Sequence, residues 1–249
     1  MAFHLISFFI KPSFTGEIKM KKVLAVLFVL LALGTVAFAK GGFTLRGGFS
    51  YDFVNVREAS EEGDGDYWRA HAFGAEVGIT YDFTDNFLVY YDQTLGFFGK
   101  FSIGDAEYDK KDFDKCAFMS SANHVGAAYR LNMKSGIDLS VGAGLAFEYI
   151  RIALADYDET EKIYQTFEWG VVSLGLGLYA NAGYALSDKM SVSLTVHPDV
   201  MFFSSNVISS GESEQITERT TRTESETYST VGPAVSFKGS ACLGITFKF

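Results

Sequence analysis

Long apolar runs and basic residues are both scarce in this sequence. Beyond residue 39 no stretch approaches eighteen consecutive apolar residues, which argues against a membrane-spanning helix in that part of the chain. The 249 residues include 21 basic and 30 acidic side chains, a formal net charge of −9. This acidic balance argues against a nucleic-acid partner.

Cysteine and histidine are also rare, with two and four copies, and neither follows a metal-binding or catalytic spacing. We therefore expect no metal, no cofactor and no catalytic residues. Cys116 is predicted near the outer end of a strand and Cys242 inside the fold, too far apart for a mutual disulfide. The acidic segment at 61–66 lacks the alternating ligands of an EF-hand and is interpreted as a solvated loop rather than a calcium site.

The first forty residues have the layout of an exported protein. A short basic start, Met20 to Lys22, is followed by an uninterrupted apolar run and by the small-residue motif AFA that ends at Ala39. We expect residues 20–39 to be a signal peptide that is cleaved between Ala39 and Lys40. Residues 1–19 are interpreted as an extension upstream of the true start.

The rest of the chain, residues 40–249, alternates apolar residues with small or polar ones, which is the period of a β-strand with two different faces. Eight such segments occur, at about 43–53, 68–83, 87–101, 117–131, 137–149, 167–186, 192–202 and 231–249. Short connections alternate with long polar ones. This layout predicts an all-β fold: an eight-stranded antiparallel up-and-down transmembrane β-barrel with short periplasmic turns and long extracellular loops.

The two faces of these segments differ in composition. One is rich in Phe, Leu and Val, and the other consists mainly of Gly, Ser, Ala and Thr with scattered charges. The second face has too little charge to cover a soluble barrel, whereas it suits the crowded interior of a small membrane barrel. The apolar stripe continues to Phe247 and Phe249, which is favourable where the last strand pairs with the first and contacts hydrocarbon.

Several stretches resemble the small eight-stranded outer-membrane proteins of the OmpW and OmpX type. These stretches are KGGFTLRGGFSY, GITYDFTDNFLVYYD, NAGYALSDKMSVSLTV and the terminal GITFKF. The resemblance covers essentially all of 40–249 and implies an integral protein of a bacterial outer membrane, in contact with its lipid. It also implies that Phe247 and Phe249 belong to the signal that the barrel-assembly machinery reads. OmpW-like members pass small hydrophobic molecules, and OmpX-like members are linked to adhesion.

Charged side chains on the inward faces must find partners, because an unpaired charge is expensive to bury. The predicted polar cluster of the lumen comprises Arg46, Glu76, Asp92, His124, Arg130, His197, Asp199 and Lys238. Counting along the strands places five of these near mid-depth, namely Glu76, Asp92, His124, His197 and Asp199. Two interpretations stay open: a plug of salt bridges that sets the shape of the barrel, and a polar constriction that lines a narrow path.

Inward glycines either leave a cavity or make room for bulky neighbours. The aromatic side chains assigned to the inward face are Tyr90, Phe98, Phe118 and Tyr179. A cavity lined by these rings would suit an apolar ligand.

The function favoured by these features is a narrow channel or binder for small, hydrophobic molecules. The alternative is a surface adhesin or structural barrel that contacts host surface molecules through its extracellular loops. A lipid-modifying enzyme is a distant alternative, since no Ser or Asp is spaced around a His as in a catalytic triad.

Overall fold

The computed structural model describes residues 42–57, 66–132, 136–159, 163–213 and 222–249. The predicted extension at 1–19, the signal peptide at 20–39 and its cleavage position between Ala39 and Lys40 lie outside the described residues and stay predictions. Most of the acidic segment at 61–66 also lies outside them.

Strands dominate the described part of the chain. Their bounds are β1 Gly42–Arg57, β2 Tyr67–Asp82, β3 Phe87–Phe97, β4 Lys100–Ile103, β5 Ala106–Asp109, β6 Lys115–Asn132, β7 Ile137–Asp158, β8 Ile163–Ser187, β9 Met190–Ser213 and β10 Arg222–Lys248. A single-turn 3₁₀ helix, Lys110–Asp112, follows β5. Among the described residues, no helix is long and apolar enough to cross a membrane.

Eight of these strands close into a ring. Each pairs antiparallel with its neighbour in the order β1, β2, β3, β6, β7, β8, β9 and β10, and β10 pairs with β1 from Thr44↔Lys248 to Phe53↔Gly239. The predicted eight-stranded barrel is therefore confirmed. Strands β4 and β5 form an additional hairpin, which extends the ring where Trp68 of β2 pairs with Ile103.

The strands run further into the predicted loops than the hydrophobic alternation indicates. The connection predicted at about 204–230 is largely strand, because β9 and β10 stay paired as far as Ser213↔Arg222. Apolar alternation stops where lipid contact stops, but backbone pairing continues beyond it, and Ser- and Thr-rich sequence is compatible with a ladder. Hydropathy alone therefore placed these strand ends too early.

The β4–β5 hairpin lies in one of the predicted loops, and ion pairs connect its two strands. Lys100 Nζ lies 3.3 Å from carboxylate oxygens of both Glu107 and Asp109. The Lys111 backbone N–H donates to Asp109 Oδ1 at 3.0 Å, and this bond together with Lys100 lowers the pKa of Asp109. The hairpin therefore has a defined shape above the barrel.

The apolar faces point outward and the small-residue faces point inward, as predicted. Phe49 is 85% exposed and Leu243 is 62% exposed on the outer surface, whereas Asp92 and His197 are fully buried inside. An exposed apolar band of this extent is stable only against hydrocarbon. The barrel is therefore built to contact lipid.

Aromatic rings mark both edges of the lipid-facing band. At the short-turn end Tyr81 packs on Phe83 and Phe87 on Tyr129, while Tyr51 packs on Phe73 near the loop end. Two such girdles are typical of a barrel that spans a bilayer.

The final residues close the barrel at the short-turn end. Phe247 pairs with Leu45, the Phe249 N–H donates to the Phe43 carbonyl at 2.9 Å, and the rings of Phe43 and Phe249 lie 5.8 Å apart. The predicted role of Phe247 and Phe249 as an assembly signal stays a prediction.

Glycines at matching positions let β6, β7 and β8 approach closely across the lumen face. Gly144 pairs with Gly126 and Gly177, and a Cβ placed on Gly144 would lie 2.6 Å from Gly126 Cα. Backbone cannot move away as a flexible side chain can, so this contact cannot relax cheaply.

Gly144→Ala is expected to lower the free energy of unfolding in lipid vesicles by about 1–3 kcal/mol, because the added methyl group overpacks the lumen. Gly47→Ala is the matched control, since nothing lies within 4 Å of a Cβ at that position. Urea titration followed by the heat-modifiable gel mobility of the barrel measures both. Equal stability of the two variants would contradict the proposed packing.

Candidate functional site

A buried charged layer, called here the polar floor, crosses the lumen at mid-depth. It comprises Arg46, Asp52, Glu76, Asp92, His124, Glu148, His197, Asp199 and Lys238. Period-two alternation on the strands of the ring turns these side chains inward, and the registers of the ladders bring them to similar depths. All of them are at most 4% exposed.

Arg46 holds one side of the polar floor together. Its Nη2 lies 2.9 Å from Glu76 Oε1 and 2.5 Å from Asp92 Oδ1, and its Nη1 lies 3.4 Å from the Tyr179 hydroxyl. Arg46 pairs with Gly78, where a Cβ would lie 2.7 Å from Arg46 Nη2. The glycine therefore makes room for the guanidinium.

Two stacked histidines connect this side to the other. His124 and His197 lie face to face, with ring centroids 4.0 Å apart and planes 7° from parallel. His124 Nε2 forms a 2.8 Å hydrogen bond with Asp199 Oδ2. His197 Nε2 lies 3.0 Å from Asp92 Oδ2, an ion-pair distance without hydrogen-bond alignment. Each ring therefore faces a carboxylate at its Nε2.

The far side of the polar floor is built around Lys238. Its Nζ lies 3.1 Å from Glu148 Oε1, and both side chains are buried. Asp52 is 1% exposed, and neither of its oxygens accepts a hydrogen bond from a described residue. Lys238 thus supplies a positive charge on the acid-rich side of the lumen.

Carboxyl groups outnumber fixed cations in the polar floor. Five carboxyls face two cations, Arg46 and Lys238, which leaves an excess of three negative charges when all carboxyls are ionised and both histidines are neutral. Protonation of His124 and His197 would reduce this excess to one. Buried charge of one sign is costly, so the layer is unsuited to holding an anion.

Arg130 lies apart from the polar floor, although it was predicted in the same cluster. Its guanidinium donates to both oxygens of Asp82 at 2.8 and 3.0 Å and lies 3.2 Å from Asp138 Oδ1. These residues sit at the short-turn end of the barrel, where Asp82 and Asp138 begin or end their strands. Arg130 therefore fixes the rim of the barrel.

The four predicted lining aromatics fall into two separate groups. Tyr90 stacks on Tyr179 with centroids 4.2 Å apart, and this pair packs with Leu88 and Ala128 on the short-turn side of the polar floor. Phe98 stacks on Phe118 at 5.5 Å on the loop side. The structure therefore does not bring the four rings into one cavity, because the polar floor lies between the two pairs.

The loop half of the lumen is apolar, which the sequence analysis did not predict. This outer apolar cluster comprises Val54, Val56, Trp68, Ala70, Ala72, Phe98, Phe101, Phe118, Ile150, Ile152, Trp169 and Val171. Trp68 and Trp169 stack with centroids 3.4 Å apart, and Ile103 and Tyr108 of the β4–β5 hairpin pack against the cluster. The sequence does carry a signal of this apolar layer. Along the inward face of β1 the residues change from polar, at Ser50 and Asp52, to apolar, at Val54 and Val56.

Glu76, Asp92 and His197 are the described residues whose arrangement could hold a metal ion. One ligand atom from each lies within 4.8 Å of the others. However, the Arg46 guanidinium contacts both carboxylates, so the protein supplies the cation at this point. A divalent ion would have to displace a buried arginine, and the donor set fits the guanidinium better.

Cys116 and Cys242 lie where expected, and His71 lies on the outer wall. His71 faces outward near the loop end, with Nδ1 2.6 Å from the Tyr51 hydroxyl, and belongs to the aromatic girdle. Cys116 and Cys242 are both free, and Cys242 is buried in the lumen.

No family profile and no curated protein matches this chain. A major outer membrane protein from Thermus thermophilus matches in structure with a TM-score of 0.56 and 11% identity, over 84% of this chain and 99% of that one. The fold is that of an outer-membrane β-barrel. OprG from Pseudomonas aeruginosa (TM-score 0.49, 13% identity, 84% and 96% of the two chains) and Neisserial surface protein A (0.48, 15%, 84% and 100%) are also similar.

These structures are small integral barrels of the outer membrane, in agreement with the predicted resemblance. The exposed apolar band and the two aromatic girdles of this chain lie on the outer surface of the barrel.

Lys238→Met is expected to destabilise the barrel by about 3–5 kcal/mol, because it leaves Glu148 as a buried charge without its partner. Lys238→Met combined with Glu148→Gln should recover most of this loss, since the double variant removes both charges. Urea unfolding in vesicles measures the free energy of unfolding of the wild type, of each single variant and of the double variant. Additive effects of the two changes would show that the pair is not coupled.

Proposed function

We propose that this protein binds small apolar molecules in the loop half of its lumen. The observation that supports this proposal is the division of the lumen into an outer apolar cluster above a polar floor. A passage for water or ions needs no apolar lining, whereas a site for a hydrophobic molecule requires one. Burial of an apolar ligand there is favourable by about 25 cal/mol per Å² of surface removed from water.

The polar floor makes a straight path through the barrel unfavourable for such a molecule. Passage would separate Arg46 from its carboxylates and leave buried charges unpaired. A bound molecule therefore stops above the floor, and it leaves either by the way it entered or sideways between strands.

The barrel wall is irregular at the depth where a sideways exit would open. The ladders on both sides of β9 shift register, between Leu174 and Gly175 on β8 and between Pro233 and Ser236 on β10. Proline has no N–H to donate, so the ladder is weaker there. Met201 fills this level from inside, and its flexible thioether side chain can adapt to a passing ligand.

Surface adhesion is the second candidate, and the loop end supports it. The extended strands β7 to β10 and the β4–β5 hairpin form an ordered rim beyond the lipid-facing band. An ordered rim loses less entropy on contact with a partner than a flexible loop does. This function does not require a ligand in the lumen.

Tryptophan fluorescence can test ligand binding, because both tryptophans of the chain, Trp68 and Trp169, belong to the outer apolar cluster. A brominated alkane such as 1-bromooctane should quench their emission saturably in lipid vesicles. Ile152 pairs with Trp169, so Ile152→Asp should weaken binding at least about tenfold by placing a charge in the cluster, while Ile152→Val should bind like wild type. Non-saturable quenching that is equal in all three proteins would rule out the site.

Ion conductance separates this binder from an open pore. We expect no steady current through the wild-type barrel in a planar bilayer, and none through Glu76→Ala, because Arg46 and Asp92 still occupy the polar floor in that variant. An ohmic current in the wild-type protein would show that water passes the floor and would contradict its sealing role.

A further inference from the structure

A small polar patch interrupts the lipid-facing surface of β3 and β6. Gln93 on β3 pairs with Asn123 on β6, and Ser121 on β6 pairs with Leu95, the next outward residue of β3. Gln93 is exposed, and Asn123 and Ser121 are half-buried. The Tyr91 hydroxyl donates to Asn123 Oδ1 at 2.8 Å, but the Gln93 amide makes no side-chain hydrogen bond to another described residue. We call Gln93, Asn123 and Ser121 the lipid-face polar patch.

This patch lies near the middle of the bilayer. The outward residues of β3 run from Phe87, in the aromatic girdle at the short-turn end, to Phe97, and Gln93 lies six residues from the first and four from the second. At about 3.4 Å per residue and a tilt of about 40°, Gln93 is roughly 15 Å into an apolar band about 25 Å tall. Neither headgroups nor water reach that depth.

Other strands of the ring are apolar at comparable depth on their outer face. On β8 the outward side chains are Val172, Leu174, Leu176, Leu178, Ala180 and Ala182, and on β10 they are Val235, Phe237, Ala241, Leu243 and Ile245, with Gly239 between them. The polar patch is therefore confined to one side of the barrel. An amide exposed to hydrocarbon without a partner is costly, so its presence points to a partner within the membrane.

We propose that the lipid-face polar patch is the contact surface of a homodimer in the outer membrane. An amide is self-complementary: around a two-fold axis near Gln93, the carbonyl of each Gln93 can accept a hydrogen bond from the NH₂ of the other. Small outward residues, Ser121 within the patch and Ala75 and Ala127 near it, allow two barrel walls to approach closely, which is how membrane-embedded surfaces associate. The dimer uses the outer wall and is independent of ligand binding in the lumen.

Gln93→Leu tests this interface without endangering the fold, because leucine suits the lipid-facing position better than glutamine does. Donor- and acceptor-labelled protein is reconstituted in phosphatidylcholine vesicles and diluted with lipid, and energy transfer gives the dimer fraction. Wild type should dimerise, and Gln93→Leu should dimerise about tenfold more weakly. Leu178→Val, on the exposed face of β8, is the matched control and should behave like wild type.

Cross-linking locates the contact. Val77 on β2 pairs with Gln93, so Val77→Cys in a Cys116→Ser background should form a disulfide-linked dimer under mild oxidation, and adding Gln93→Leu should remove it. Leu178→Cys should not cross-link. A wild-type protein that stays monomeric at all lipid dilutions would overturn the proposal, and so would equal dimer fractions in wild type and Gln93→Leu. Either result would indicate that lipid, and not a second barrel, contacts the patch.

Discussion

Closure of the backbone ladder between β1 and β10 is the constraint on which the rest of the structure depends. Hydrocarbon offers no hydrogen-bond partner, so every N–H and C=O in the lipid-facing band must pair with a neighbouring strand. The pairing from Thr44↔Lys248 to Phe53↔Gly239 completes the ring and removes both edges. Once the ring is closed with eight strands, its interior is narrow, and the side chains of alternate residues must fill it.

The narrow interior explains why the lumen is layered. Near mid-depth, glycines such as Gly78 and Gly177 leave space that polar-floor side chains of other strands occupy. The charged side chains of this layer form pairs such as Arg46–Asp92 and Lys238–Glu148. Toward the loop end the inward residues become bulky and apolar, and Trp68 and Trp169 meet across the barrel. A charged layer fixes shape through directional contacts, whereas an apolar layer can rearrange around a guest molecule.

Much of the fold could be predicted because lipid makes the two faces of each strand different. The direction of Phe49, Leu243 and their neighbours, the burial of Glu76 and His197, and the eight-strand count all come from period-two alternation. Three-dimensional partners could not be predicted in the same way. Arg130 was grouped with the polar floor because alternation gives a face but not a distance, and Tyr90 and Phe98 were placed together although the charged layer separates them.

The β4–β5 hairpin gives the sheet an open end that the ring itself does not have. Among the described strands, β5 pairs with β4 on one side and with no strand on the other, so its outer backbone groups face water above the bilayer. An unpaired edge can recruit a strand from another molecule and begin aggregation on a crowded cell surface. Here the edge is four residues long, carries Glu107 and Asp109, and stops at a 3₁₀ turn, features that natural sheets use to discourage such stacking.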